Sequence, residues 1–282
     1  MIDHELLSIH RPSPSVDRHI AIMYLHGGGL LYGDRDDLPH VYVQMLTQAG
    51  YTLVCVDYPL APETTYAGII KSLLATFRIT LARSIAEGEF AGYLLFGRSA
   101  GANLALVLAR QIAADASLPD PLGIIDFYGY YDLTDSAFYL PAKAYTKLPL
   151  VDRQTVQSIV GSSSSLPTSG PKATRFALYI YARQHEGTWL ELMGLDGKSS
   201  ERDARTWSLT DENITGLQPL FIAASSGDED VPLRISKILK RKATSATMKT
   251  VYYLPHDFDR DTSKTEGAET YRALIAWIDG IL

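Results

Sequence analysis

Ser99 stands in Gly97-Arg98-Ser99-Ala100-Gly101, after the apolar run 93–96 and before the helical pattern 103–109. A strand that turns sharply into a helix strains its central residue, and small neighbours leave the hydroxyl uncrowded. This is the setting of a nucleophile. A serine hydroxyl attacks only when a base takes its proton, and that base must be oriented by an acid. Two histidines lie downstream, His185 and His256. His256 follows the strand-like run Val251-Tyr252-Tyr253-Leu254 and precedes the last helical pattern, so a loop at the carboxyl edge of a sheet is expected to carry it. His185 lacks that setting and is expected on the surface or on a lid.

The acid is sought one strand earlier, where residues 219–224 run into Ser225-Ser226-Gly227-Asp228-Glu229-Asp230-Val231-Pro232. Three adjacent carboxylates leave the choice ambiguous. Asp228 falls where the strand-end turn aims a side chain back toward His256. Asp230, just before Val-Pro, is suited instead to cap the next helix through its free N–H groups. The preferred assignment is Asp228 as orienter and Asp230 as cap.

A second glycine-rich element, His26-Gly27-Gly28-Gly29, follows the strand-like run 20–25. Amide N–H groups unshielded by side chains can face a developing negative charge, as can the N–H of Ala100, which also opens a helix. The ordinary alternative is a flexible strand-exit loop. Pairing with the serine elbow favours an oxyanion hole.

Together with Asp57-Tyr58-Pro59-Leu60-Ala61-Pro62-Glu63, these pieces resemble the α/β-hydrolases, specifically the esterase and lipase branch with a His-Gly-Gly-Gly loop. That branch includes the hormone-sensitive-lipase-like esterases, and the chain also resembles acyl-peptide-hydrolase-like members. The resemblance implies an oxyanion hole formed by Gly28, Gly29 and Ala100. Four features depart from the pattern. Pro59 replaces an arginine, and Arg98 stands where relatives often carry an acid. The stretch before the glycine loop is expected to be too short for a helical cap. His256 is followed by Asp257-Phe258-Asp259-Arg260 in place of a glycine-rich setting.

Positioning these groups requires a scaffold. Strand-like runs at 6–9, 20–25, 52–56, 93–96, 123–127, 220–224 and 250–254 alternate with helical patterns at 38–49, 67–86, 101–113, 233–240 and 266–282. Such alternation predicts an α/β fold with a mostly parallel sheet covered by helices on both faces. Residues 1–130 and 217–282 are expected to form this α/β-hydrolase core. The long gap between the fifth and sixth strands is read as an inserted helical lid, 131–216, with a polar break at 162–165 and a helical run at 174–182. Aromatic residues are frequent there, most of them expected in helix packing. Tyr128, Tyr130 and Tyr131 follow the strand next to the nucleophile strand and are expected to line a substrate pocket. Arg98 is expected either to pair with a substrate carboxylate or to form a structural bridge.

Composition narrows the function further. The chain of 282 residues, 46% hydrophobic, suffices for one catalytic domain. Its net charge of -6 opposes nonspecific nucleic-acid binding. No apolar run reaches the ~18 residues of a membrane span. Residues 1–5 lack the basic and apolar regions of a secretory signal, which makes a cytoplasmic location the default expectation. Cys55 is the single cysteine and is expected as a small core residue. No Cys/His cluster has metal-ligand spacing, so neither metal nor organic cofactor is expected. The expected activity is hydrolysis of small acyl esters through an acyl-enzyme, with a small-molecule ester as partner and self-association left open. A peptidase or acyl-peptide hydrolase would use the same three residues. A noncatalytic binding protein on this scaffold is the remaining alternative.

Overall fold

Seven stretches become strands in the computed structural model, which describes residues 6–161 and 166–282. They are β1 (Leu7–His10), β2 (Ile20–Leu25), β3 (Tyr51–Val56), β4 (Gly92–Arg98), β5 (Gly123–Phe127), β6 (Leu220–Ser225) and β7 (Ala246–Val251). One sheet results, in the order β1-β3-β2-β4-β5-β6-β7. Among the described residues, only β1 runs antiparallel to its neighbour.

The strands are near-continuous apolar runs because both faces of the sheet are covered. In β2, Ala21, Met23 and Leu25 point into one core, while Ile20, Ile22 and Tyr24 point into the other. The second core is closed by α1 (His40–Gln48). The first receives α2 (Tyr66–Phe77), which continues through a π turn at Arg78–Ala82 into α3 (Arg83–Ala86), and α4 (Ala100–Ala113). The single helix expected over 67–86 is therefore broken by that turn. There Thr80 donates its hydroxyl to the Thr76 carbonyl at 2.6 Å, a local bond that competes with the regular ladder.

Among the described residues, seven α-helices lie between β5 and β6: α5 (Ser136–Tyr139), α6 (Lys143–Thr146), α7 (Arg153–Gly161), α8 (Lys172–Gln184), α9 (Thr188–Leu192), α10 (Ala204–Trp207) and α11 (Asp211–Thr215). The expected polar break at 162–165 lies outside the described residues, as do residues 1–5 with their expected leader-free character. Phe138, Leu178, Trp189, Met193 and Ile214 of this insertion are buried in the same core as α2 and α4. After β6 come α12 (Leu233–Lys242) and α13 (Thr265–Ile281), the latter on the α1 face.

The last strand differs from expectation. It spans Ala246–Val251, not 250–254. As an edge strand it is half exposed and less apolar than the Val-Tyr-Tyr-Leu run that follows, so hydrophobicity pointed four residues too far along. Pairing ends where Ser225 meets Val251. Beyond it the chain leaves the sheet at Tyr253, whose φ of 65° no strand residue adopts.

Candidate active site

Five loops at the carboxyl ends of the adjacent parallel strands β2, β4, β5, β6 and β7 meet here, the usual place for function in such sheets. Ser99 joins β4 to α4 with φ 53° and ψ -118°, a conformation costly for a residue with a side chain. Its N–H donates to the Phe127 carbonyl at 2.8 Å, and its carbonyl accepts from Ala102 at 3.0 Å. A Cβ on Gly97 would overlap the Gly101 backbone, which explains glycine on both sides of the turn.

Ser99 Oγ lies 2.7 Å from His256 Nε2, and His256 Nδ1 lies 2.5 Å from Asp228 Oδ2. The other carboxylate oxygen of Asp228 accepts from the N–H groups of Asp230 and Val231, each at 2.8 Å. Burial opposes charge on His256, but Asp228, through its charge and hydrogen bond, with Asp230 and Asp257, raises the imidazole to about 9. The geometry thus brings Ser99, His256 and Asp228 together. His185 is elsewhere, its Nδ1 at 2.8 Å from the Tyr181 carbonyl at the end of α8.

Asp230 does not cap α12, contrary to expectation. Pro232 occupies the cap position without a side-chain hydrogen bond, and the amides after the turn are taken by Asp228. The Asp230 carboxylate instead accepts from three groups of the insertion: Tyr145 at 2.9 Å, Tyr179 at 2.8 Å and Arg183 at 3.1 Å. Both members of the Arg183 pair are 2% exposed. Sequence reasoning missed this clasp because its partners lie 85, 51 and 47 residues from Asp230 in the chain and share no motif.

The glycine loop after β2 is shaped by its neighbours. Gly28 has a φ of 96°, and a Cβ there would overlap the Tyr32 carbonyl, so only glycine fits. Among the described residues, the N–H groups of Gly28 and Gly29 have no backbone partner. The preceding His26 ring stacks on Tyr58 at 4.2 Å, and the Tyr58 hydroxyl donates to the His26 carbonyl at 2.8 Å. The segment 57–63 thereby braces the loop. Its two acids are used in the same way: Asp57 accepts from Arg35 at 3.0 Å, and Glu63 pairs with Arg175 of α8 at 2.8 Å.

Ser99, His256, Gly28 and Gly29 open onto a cavity of about 640 Å³. Tyr145, Phe176 and Tyr179 of the insertion and Tyr32 beside the glycine loop supply its aromatic wall. Asp34, Asp36 and Asp261 line it as well, together with Lys172 and Arg260. A cavity of this size suits a small organic ligand.

Three of the expected pocket residues have other roles. Arg98 borders the cavity, but its guanidinium is 2% exposed and spent on Asp259, Tyr128, Tyr24 and Asp37. It forms a structural bridge and is not free to hold a substrate carboxylate. Tyr130 packs into the core against Phe138 and Trp189, with ring centroids at 4.4 and 5.7 Å. Tyr131 is also buried, its ring covered by the Lys242 ammonium at 5.4 Å. The chain turns at Tyr128, whose φ is 45°, so that residue alone of the three faces the cavity, while the next two run beneath the insertion. Tyr32 and the insertion residue Lys172 line the cavity and were not anticipated; the nearness of Tyr32 to the glycine loop was the available signal for the first. Cys55 is buried in β3, and burial pushes its thiol up, as expected of a core residue. No helix among the described residues is long and apolar enough to cross a membrane.

Comparison with known proteins extends these observations. A family profile described as the alpha/beta hydrolase fold matches residues 22–178. A solved alpha/beta hydrolase superfamily protein from Enterococcus faecalis is 31% identical, with a TM-score of 0.81 over 96% of this chain and 93% of that one. A Staphylococcus aureus protein of unknown function is 29% identical, with a TM-score of 0.83 over 98% and 94% of the two chains. Among curated proteins, an ethyl acetate hydrolase of Pseudomonas putida is 29% identical over 150 residues, which are 52% of this chain and 46% of that protein. The chain thus matches about half the length of that curated relative. Because the family match covers more than half of the chain and the likeness to solved members runs nearly end to end, this protein belongs to the alpha/beta-hydrolase family.

Proposed function

We propose that the protein is a serine hydrolase of small acyl esters. The observation that carries this reading is the unbroken hydrogen-bond chain from Ser99 through His256 to Asp228, with Ser99 and His256 lining the cavity. The ester activity of the Pseudomonas putida relative supports it. In this mechanism Ser99 Oγ attacks the ester carbonyl while His256 Nε2 takes its proton. The N–H groups of Gly28, Gly29 and Ala100 receive the oxyanion. Collapse of the tetrahedral intermediate breaks the C–O bond, and His256 returns the proton to the leaving alcohol. Water then repeats the sequence on the acyl-enzyme, with Asp228 holding the Nδ1–H throughout. Residues 131–216 act as a roof that shapes the acyl pocket, over a core formed by 1–130 and 217–282.

The test is hydrolysis of a p-nitrophenyl ester series from acetyl to long acyl chains, with wild type beside Ser99→Ala. Serine-dependent turnover is the expected outcome. Folded protein that neither turns over an ester nor is labelled at Ser99 by a fluorophosphonate would leave a binding protein as the reading. A second reading rests on Asp34 and Asp36 at the cavity wall, whose charge suits the free amino terminus of a peptide. Faster cleavage of aminoacyl anilides than of simple esters would place it first.

A further inference from the structure

Arg98 departs from the family pattern at the residue beside the nucleophile, and the structure gives that departure a purpose. Its guanidinium extends in three directions. Nη2 donates to Asp259 Oδ1 at 2.9 Å, Nε to the Tyr128 hydroxyl at 2.6 Å, and Nη1 toward Tyr24 and Asp37, both at 3.4 Å. The Tyr128 hydroxyl in turn donates to Asp259 at 2.7 Å, and Tyr271 donates to the other oxygen of that carboxylate at 3.1 Å. Arg98, Asp259, Tyr128, Tyr24 and Tyr271 are all buried.

Tyr128 and Asp259 sit on the loops that carry the site, whereas Tyr24 lies in β2 and Tyr271 in α13. Arg98 ends β4, one residue before Ser99. Tyr128 follows β5, and its ring meets the His256 imidazole edge to face, with centroids 4.8 Å apart and planes at 62°. Asp259 follows His256 by three residues, in a turn where Phe258 N–H donates to the His256 carbonyl at 2.9 Å. Between β7 and His256 the chain is irregular: Tyr253 N–H donates to Ser226 Oγ at 3.0 Å and Ser225 Oγ to the Leu254 carbonyl at 2.5 Å, but no ladder continues to the imidazole. A planar fork bound to Asp259 and Tyr128 supplies that reference, as a flexible ammonium would not. Taking both charges out of water is costly, and apolar residues of the same volume would hold the core as well.

We propose that Arg98 is a positioning residue: through Asp259 and Tyr128 it fixes the loop of His256 at hydrogen-bonding distance from Ser99. The proposal rests on the esterase reading and deepens it. Arg98 touches neither substrate nor reacting atoms in this scheme. It acts on the one distance over which the proton of Ser99 moves, and displacement of about 1 Å there costs on the order of 100-fold in rate.

Two alterations test it. Tyr128→Phe removes one hydroxyl and keeps the ring. The paired change Arg98→Met with Asp259→Leu exchanges the buried ion pair for apolar side chains, and Asp37, which also faces Arg98, keeps Arg260 at 4.0 Å as a counter-charge. Steady-state kinetics with p-nitrophenyl butyrate, the rate of fluorophosphonate labelling at Ser99 and the thermal midpoint are measured for each. The expected result is a kcat lower by about tenfold or more, KM within about twofold, and labelling slowed in parallel, in protein that melts cooperatively. A paired variant that folds and retains wild-type kcat overturns the proposal, as does a loss of kcat no larger than the unfolded fraction. Failure of the esterase reading is distinct: the wild type itself would then show neither turnover nor labelling.

Discussion

Replacing Asp228 by asparagine separates the electrostatic role of that carboxylate from its structural one. Oδ1 accepts two backbone N–H groups, from Asp230 and Val231, and an asparagine carbonyl in the same place keeps both bonds. The turn therefore survives. The change falls on the other side, where an amide NH₂ now faces His256 Nδ1 in place of a carboxylate oxygen at 2.5 Å. The imidazole must accept there, which moves its proton to Nε2, the nitrogen that has to take the proton of Ser99. Loss of the correct tautomer in a triad of this kind costs about 10⁴ in kcat.

A second signature follows from the charge of the base. With the carboxylate in place His256 lies near 9, so the active neutral form is lost as pH falls, and kcat/KM declines about tenfold per pH unit below that value. Without it, burial still opposes the charge while Asp230 and Asp257 still favour it, so the limb moves down from about 9. Stability has the opposite sign. A base raised from 6.5 to about 9 stabilises the folded state fully below pH 6.5, by about 3 kcal/mol at about 1.4 kcal/mol per unit, and loses that contribution as pH rises through 9. Asp228→Asn is thus expected to lower the thermal midpoint at pH 6 and to change it little at pH 10. The assay is a pH profile of kcat/KM for both proteins with a neutral ester, beside melting curves at the two pH values. Turnover of the variant within tenfold of wild type at pH 8, or a limb that stays near 9, refutes the reasoning.

Two further outcomes are expected. Asp230→Ala strands Arg183 in a site where it is 2% exposed, a change that costs about 3–5 kcal/mol; urea denaturation checks this, and an unchanged midpoint would mean that the insertion is held by other contacts. Phe176→Ala removes a ring from the cavity wall, so the ratio of octanoyl to butyryl ester turnover is expected to rise several-fold. A constant ratio would place the acyl chain elsewhere in the cavity.

Much of the site was legible because its signals are local. The elbow at Ser99 and the glycines at 27–29 are consequences of what a turn between a strand and a helix, or a backbone exposed to a ligand, permits within five residues. His256 could be chosen over His185 because only the first follows a strand. Where signals were longer in range, reading the chain failed in specific ways. Aromatic residues 130 and 131 were indistinguishable from 128, since a single φ of 45° at Tyr128 decides which side chain faces the cavity. Apolar character placed β7 too late, because an edge strand half exposed to water does not need the most apolar residues available.

By itself the sequence determined the alternation of strands and helices, hence a mostly parallel sheet with loops gathered at one edge, and the residue types that could act there. Those follow from periodicity and from backbone chemistry, both properties of neighbouring residues. The tertiary structure alone decided how the charges pair. Arg98 with Asp259, Arg183 with Asp230 and Arg175 with Glu63 join residues 161, 47 and 112 positions apart. A buried guanidinium requires a counter-charge, but which carboxylate reaches it depends on how the elements pack. That packing also assigned Asp228 and Asp230, two residues apart in one turn, to His256 and to Tyr145, Tyr179 and Arg183.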